Sequence, residues 1–568
     1  MEEAVTPVVL QDWTPIGGCL DFQLGQLAFQ RRGAQAFTTH EVPNLVNQGG
    51  LSAVRAAEVL FASCEAADAE GTLEASITVM EMAIGLGLHA VQFLDRFQRR
   101  CEEAGKDWYD RLTFYATDVT PKMLHDAAAR GVFGRHEGRV RLAQGDARRP
   151  DRVRLLGSGE VVDLAGALRM VLHTYLLCVL PANVFRCDLP PDGEPVWKVL
   201  VARTVLRRPD LVERFTDQSV AQLQAAFADP EPAVLVGLVD LYPLLDLDLS
   251  LAEFPLADHP ERAELERILA LQQTEAMPED RAAEPYRWIL HSAGAQESIA
   301  RTLEALRPDG VLLYRDYGPG SLADADTAHI YQHYGPTTAI GIHHVALDSG
   351  HGEGVRVGAP EGEGAAAIKT RLVSRGAPES VFDAFQRAFA TADVDALEAQ
   401  IAEARSAGTV GAAIEGYRVA LRTEPGNWAL LGEAAEVALR NGRNLDLAEV
   451  LIREALRINP WSSAPAWNTL GDVLWFRDDL EGAEAAFTQA TAVNPEHPRG
   501  WFNLYLCARQ RRQLGRAVEM AARALAVDAG GEESTRLVAA LRDAIDQLAQ
   551  QRSLAAQLRR GRQAGSHR

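Results

Sequence analysis

Ile77-Thr78-Val79-Met80-Glu81-Met82-Ala83-Ile84-Gly85-Leu86-Gly87 decides the reading of the N-terminal two thirds of this chain. The first six residues form a mainly apolar, β-rich run. The next five break the run with two glycines, and a helical pattern continues through Phe97. This is strand, glycine-rich turn, helix. Glycine tolerates positive φ and lets a ligand approach the backbone. In doubly wound α/β folds such a turn opens a nucleotide site. The order is Glu-x-Ala-x-Gly-x-Gly, with an acid ahead of the turn, and differs from the dinucleotide fingerprint GxGxxG.

Two further strand ends follow. Leu112 to Asp118 predicts a strand ending in an acid, and Pro121-Lys122-Met123-Leu124 opens a helix. Val140 to Gly145 predicts a third strand, followed by Asp146-Ala147. A carboxylate at such a strand end can accept from two vicinal hydroxyls. Together these segments resemble class I S-adenosylmethionine (SAM) methyltransferases, whose first motif is (D/E)xGxGxG; here Ala83 stands for the first glycine. The resemblance implies SAM as cofactor. It implies a site at Glu81, Ala83, Gly85 and Gly87, ribose hydroxyls on Asp118 and the adenine amino group on Asp146. The alternative for these acids is helix capping in a structural core.

The second half of that core is expected from a strand at Trp288–Ser292, a helix near 295–306 and the run Leu306-Arg307-Pro308-Asp309-Gly310-Val311-Leu312-Leu313. Asp316-Tyr317-Gly318 comes next, and Gly335 to Gly341 reads Gly-Pro-Thr-Thr-Ala-Ile-Gly. This part is similar to MidA-type protein arginine methyltransferases, which assist respiratory complex I assembly. Their acidic-Leu-Pro motif has a partial counterpart at Tyr175 to Pro181. The usual Asn-Glu and Asp are replaced by Thr174, Tyr175 and Cys178, a departure that bears on arginine specificity.

Methyl transfer from a sulfonium needs an aligned acceptor and a dry site, with no metal or covalent nucleophile. Asp316, Tyr317, Tyr175 and His173 are the polar groups expected at strand ends facing the acceptor. Asp316 is expected to hold or deprotonate it, or else to close the turn before Gly318. Tyr175 and His173 also read as core residues. Asn44 and Asn47 read as loop caps with a second reading as site contacts. No metal site is expected: the cysteines form no CxxC pair, and His343, His344 and His351 lack companions.

Downstream, Pro425, Pro460 and Pro495 each end a similar helix at equal spacing. The clearest unit has Trp467, Leu470, Gly471 and Leu474 on one helix and Ala483, Phe487 and Ala490 on the next. This is the pattern of tetratricopeptide repeats (TPR), in which small residues let paired helices approach. Flanking units lie at Ala435–Ala455 and Trp501–Ala524, with a degenerate one near 394–427. Stacked pairs form a groove that takes a segment of another chain.

The chain has 568 residues, 47% of them hydrophobic, and a formal net charge of −21. That acidity disfavours nucleic acid and fits a basic peptide or protein, though solubility alone explains it equally. No apolar run reaches a membrane span, and no export signal opens the chain, so a cytoplasmic location is expected. The expected organisation is an α/β Rossmann-like methyltransferase core with helical additions, then an all-α TPR solenoid. Its segments are 1–75 (helical lid), 76–185 (SAM-binding first half), 186–285 (mainly helical insertion), 286–387 (second half), 388–531 (repeats) and 532–568 (capping helix and basic tail). The expected function is methylation of a peptide or protein at side-chain nitrogen (Arg or Asn), with the repeats recruiting the substrate. A small-molecule methyltransferase and a non-catalytic scaffold are the alternatives.

Overall fold

The computed structural model describes residues 6–39, 41–42, 49–191, 193–228, 231–274, 284–320, 331–335, 337–363, 368–390, 394–440, 444–528 and 534–565. Asn44 and Asn47 lie outside them. Contacts divide the chain into two compact units. The first holds 51–392 and most of the residues before it; the second holds 393–568 with a few residues of the N-terminal stretch.

In the first unit a nine-stranded sheet runs in the order Arg356–Gly358, Ile368–Ser374, Leu306–Tyr317, Leu168–Thr174, Ile77–Met82, Leu112–Asp118, Val140–Gly145, Arg152–Leu155, Val161–Asp163. The five strands from Leu306–Tyr317 to Val140–Gly145 are parallel. Ile368–Ser374 is antiparallel to its neighbour. The chain leaves Ile77–Met82 in one direction and returns on its other side at Leu168–Thr174. This reversal is the switch point at which open α/β sheets bind ligands.

Residues in register share a face of the sheet. Glu81 stands opposite Ala116 and Leu172, and Leu172 opposite Leu313. Helix Leu88–Ala104 covers this face; its Phe93 ring lies 5.7 Å from that of Phe114. The helix starts at Gly87 and ends at Gly105, both left-handed, and the Gly105 amide returns to the last-turn carbonyls. On the other face Met80, Met82, Val171, Leu312 and Tyr314 share a core with Ala295, Ile299 and Leu303 of helix Ala293–Ala305.

Three expectations change. Tyr286–His291 is a strand, but it pairs antiparallel with Asn183–Asp188 in a separate sheet and is not part of the parallel core. The insertion 186–285 contains helices, and also the long strands Val196–Leu206 and Leu245–Glu253 of that same sheet. The alternation Leu-Asp-Leu-Asp-Leu-Ser-Leu marks the second of these as a strand with one apolar face. The N-terminal segment opens with a third such strand, Val8–Pro15, before its helices Leu20–Arg32 and Leu51–Ala69.

The second unit is a run of paired helices, from Val394–Ser406 and Val410–Thr423 to Pro498–Gln510 and Leu514–Val527, closed by Ser534–Gly565. The last helix continues through the basic residues expected to form a loose tail. A Cβ built on Gly471 would sit 2.3 Å from the Phe487 ring, so glycine is what lets Ala464–Phe476 and Leu480–Val493 approach. Trp467 Nε1 donates to the Pro460 carbonyl at 2.9 Å, and Trp501 Nε1 to that of Pro495 at 2.7 Å. The same bond thus ties successive units at their terminal prolines.

Candidate functional site

The carboxyl ends of the central strands carry most of the residues expected there. Ala83 has φ +58°, Gly85 +52° and Gly87 +77°, so alternate residues of the turn are left-handed. Glu81 is buried. His89 Nδ1 on the first turn of the following helix lies 3.0 Å from Glu81 Oε1, off the line of a hydrogen bond, and Glu81 Oε2 has no partner. A buried carboxylate oxygen without a donor is costly unless a ligand supplies one.

Asp118 ends the neighbouring strand on the same face as Glu81. Its Oδ1 accepts the Thr120 amide at 2.8 Å. Burial pushes its carboxyl up to about 6, opposed by bonds from Thr120 and the Gly85 amide. Asp118 therefore faces the glycine turn. Asp146 is more exposed: it accepts the Arg148 amide at 2.9 Å and pairs with that guanidinium at 3.5 Å. The residues fit SAM: the Asp118 carboxylate beside the glycine turn, and Glu81 with one oxygen unpartnered.

The acceptor-side residues divide. Asp316 is fully buried. Its Oδ2 accepts the amides of Leu177 (2.6 Å) and Cys178 (3.1 Å), and its Oδ1 that of Tyr317 (2.8 Å). Burial raises its carboxyl to about 6 against these bonds. Oδ2 thus holds the start of the turn Leu177–Val179 and Oδ1 the Tyr317 amide, so both oxygens already carry backbone bonds. His173 lies on the opposite sheet face from Glu81, opposite Met82 and Tyr314. Neither of its ring nitrogens has a partner, and burial lowers it to about 3, leaving a neutral imidazole. His343 and His344 are likewise buried and pushed down by burial; His343 Nδ1 caps its helix at Ala346. Among the described residues no group of His, Cys, Asp and Glu is arranged to hold a metal.

Tyr175 and Tyr317 do come together. Their rings stack at 4.6 Å and 27°, and Tyr317 stacks on Tyr334 at 6.0 Å and 21°. Burial raises both Tyr175 and Tyr317, the latter to about 12, so the phenols stay protonated. Tyr175 has φ +52°, which is rare for a bulky side chain. Arg315 and His89 also lie on these elements and are not singled out by the sequence. Each adjoins a motif, but nothing local distinguishes it from a solvated neighbour.

Fold and site together define a Rossmann-like α/β unit whose strand order reverses beside the glycine turn, followed along the chain by a tetratricopeptide-type solenoid. Similar solved structures include a superfamily member from Burkholderia thailandensis assigned as a methyl transferase and bound to S-adenosyl-homocysteine. It is 16% identical over 65% of this chain and 90% of that one, with a TM-score of 0.38. The MamA protein is 17% identical over 28% of this chain and 90% of its own, TM-score 0.23. The first TPR domain of human RPAP3 is 17% identical over 22% and 95%, TM-score 0.20. No family model and no curated protein matches the chain.

Proposed function

We propose that this chain is a SAM-dependent methyltransferase acting on a peptide or protein that its repeat array recruits. The observation that carries the reading is the pairing of Asp118 with the left-handed turn Ala83–Gly87 at the switch point, beside the unpartnered Glu81 Oε2. When bound, SAM supplies an electrophilic methyl carbon on a sulfonium. Asp118 accepts from the ribose hydroxyls, the turn amides line the approach, and Glu81 Oε2 takes a donor it now lacks. Asp146 takes the adenine amino group at the oxygen that its long contact with the Arg148 guanidinium holds only weakly.

Nitrogen acceptors are less well served. A guanidinium or amide must shed a proton, and Asp316 and His173 offer no free base of useful strength. An arginine acceptor also needs a free carboxylate, and Asp316 is committed to backbone amides.

Recruitment is supported by polar groups shared between adjacent repeats. Arg499 bridges Asp472 (2.7 Å) and Glu436 (3.4 Å), and Asn503 donates to Asn468 at 3.1 Å. A cavity of about 270 Å³ nearby is lined by Arg405, Tyr417, Glu433, Glu436 and Arg440. The test is calorimetry with S-adenosyl-homocysteine, then transfer of labelled methyl to peptide and to small-molecule pools. No binding leaves the scaffold reading. Label confined to small molecules sinks the peptide reading.

A further inference from the structure

Arg315 precedes Asp316 on the strand Leu306–Tyr317, and its carbonyl accepts the Tyr175 amide at 2.9 Å. Register sets it opposite Thr174 and Thr370, on the sheet face that carries Glu81 and Asp118. The side chain is half-buried, and its Nε is fully covered and bonded to nothing. Among the described residues no carboxylate pairs with it. Two other arginines of this unit show the contrast. Arg169 is buried with Glu74 and Asp309 at 2.6 and 3.1 Å, and Arg371 with Asp348 and Glu363 at 2.7 and 2.6 Å. A covered cation without a counter-ion is unfavourable in the folded state. One standing near the carboxyl end of a central strand, on the face that carries Glu81 and Asp118, points to an anion that arrives with the ligand. The Tyr175 phenol lies near enough to feel its charge, and that ring stacks on Tyr317.

The second observation concerns proton transfer. Both Asp316 oxygens are held by amides, the His173 ring is sealed in the core on the far face of the sheet, and the two phenols remain protonated. A carboxylate acceptor needs none of them, because it arrives already deprotonated at neutral pH. It also brings the charge that Arg315 lacks, and a guanidinium holds a carboxylate through parallel hydrogen bonds.

We propose that the acceptor atom is a carboxylate oxygen, held by Arg315, so that the product is a methyl ester; this rests on the methyltransferase reading above. One carboxylate oxygen stays on the guanidinium. The other gives an electron pair to the methyl carbon as the C–S bond breaks, and the electrons of that bond remain on sulfur. The carboxylate and sulfonium charges cancel, a neutral ester and a thioether form, and no proton moves. The carboxylate belongs to an acidic side chain or to a chain terminus.

The test uses the full chain, methyl-tritiated SAM and two synthetic peptide libraries. One is C-terminally amidated and rich in Asp and Glu; the other has free termini and no acidic side chains. Esters release their label as volatile methanol in alkali, whereas N-methyl groups keep it. The expected result is alkali-labile label on one library, identifying the source of the carboxylate. Arg315→Gln should reduce it at least about tenfold and Arg315→Lys less, with affinity for S-adenosyl-homocysteine unchanged in both. Alkali-stable label, or no ester on either library from a protein that binds S-adenosyl-homocysteine, overturns the proposal. So does an Arg315→Gln protein that loses S-adenosyl-homocysteine but keeps 5′-methylthioadenosine, since Arg315 then holds the cofactor's own carboxylate. A wild-type protein that binds no S-adenosyl-homocysteine instead refutes the methyltransferase reading.

Discussion

Replacing Asp118 with asparagine separates the role of its charge from that of its shape. The amide keeps an oxygen for the Thr120 N–H, so the turn is preserved, but it accepts less strongly from two ribose hydroxyls. Hydrogen bonds to a charged group are worth roughly 1 kcal/mol more than neutral ones. Two such bonds make a loss of about 2 kcal/mol, or about thirtyfold in affinity for S-adenosyl-homocysteine at neutral pH. The pH dependence is the sharper test. Burial places the Asp118 carboxyl at about 6. The ionised fraction, and with it wild-type affinity, should fall roughly tenfold between pH 7 and pH 5. The stability of the free protein moves the other way. Because the folded value is raised above the unfolded one, the stabilising contribution is present below about pH 4 and is lost as pH rises through about 6. Calorimetric titration at pH 5, 6 and 7, with denaturant melts at the same values, reads both effects. The substitution Asp118→Asn should flatten both profiles. Equal affinities for the two proteins at pH 7, with parallel pH profiles, would show that Asp118 does not receive the ribose.

Ala83→Gly should stabilise the protein by about 1 kcal/mol, because φ +58° strains any residue with a Cβ; a lowered urea midpoint would contradict this. Asp316→Ala leaves three buried amides without an acceptor and should cost about 3 kcal/mol or more; a variant of wild-type stability that has lost turnover would restore Asp316 as a group acting on substrate. Gly471→Ala forces a methyl against the Phe487 ring and should destabilise the repeats by about 1–3 kcal/mol, with Phe487→Leu recovering part in the double variant; additive losses would mean that the two positions do not touch. Phe487→Asp should melt the array locally and reduce peptide turnover at limiting concentration while S-adenosyl-homocysteine affinity stays; its loss in calorimetry would show that one cooperative unit holds both.

The carboxylate proposal and the charge of the chain pull in different directions. An acidic substrate meets a protein with a net charge of −21, so long-range attraction does not deliver it. Recognition then falls to short-range groups: Arg315 on the central sheet and the mixed-charge surface around Arg499 in the repeats. Added salt should raise the apparent affinity for such a substrate by screening the repulsion, and lower it for a basic one. Steady-state kinetics at two ionic strengths distinguishes the cases.

Features that depend on neighbouring residues are legible in the chain alone. The glycines after Glu81 mark a left-handed turn because the conformational need is local. The repeats can be read because each helix pair packs on the next at fixed spacing, and Gly471 and Phe487 are only sixteen positions apart. The Leu-Asp alternation of Leu245–Glu253 was also there to be read. Features that depend on distant partners emerge only in the folded molecule. Tyr286–His291 looks like any short apolar strand, and only pairing with Asn183–Asp188 assigns it to the second sheet. Asp316 looks like an unattached acid until the amides of Leu177 and Cys178, 139 and 138 residues away, bond its Oδ2. Arg315 is inconspicuous until the folded chain half-buries it with no acid beside it among the described residues. A local motif specifies the backbone that it needs, but whether a polar side chain is free to act depends on which other groups satisfy it, and the fold brings those together from across the chain.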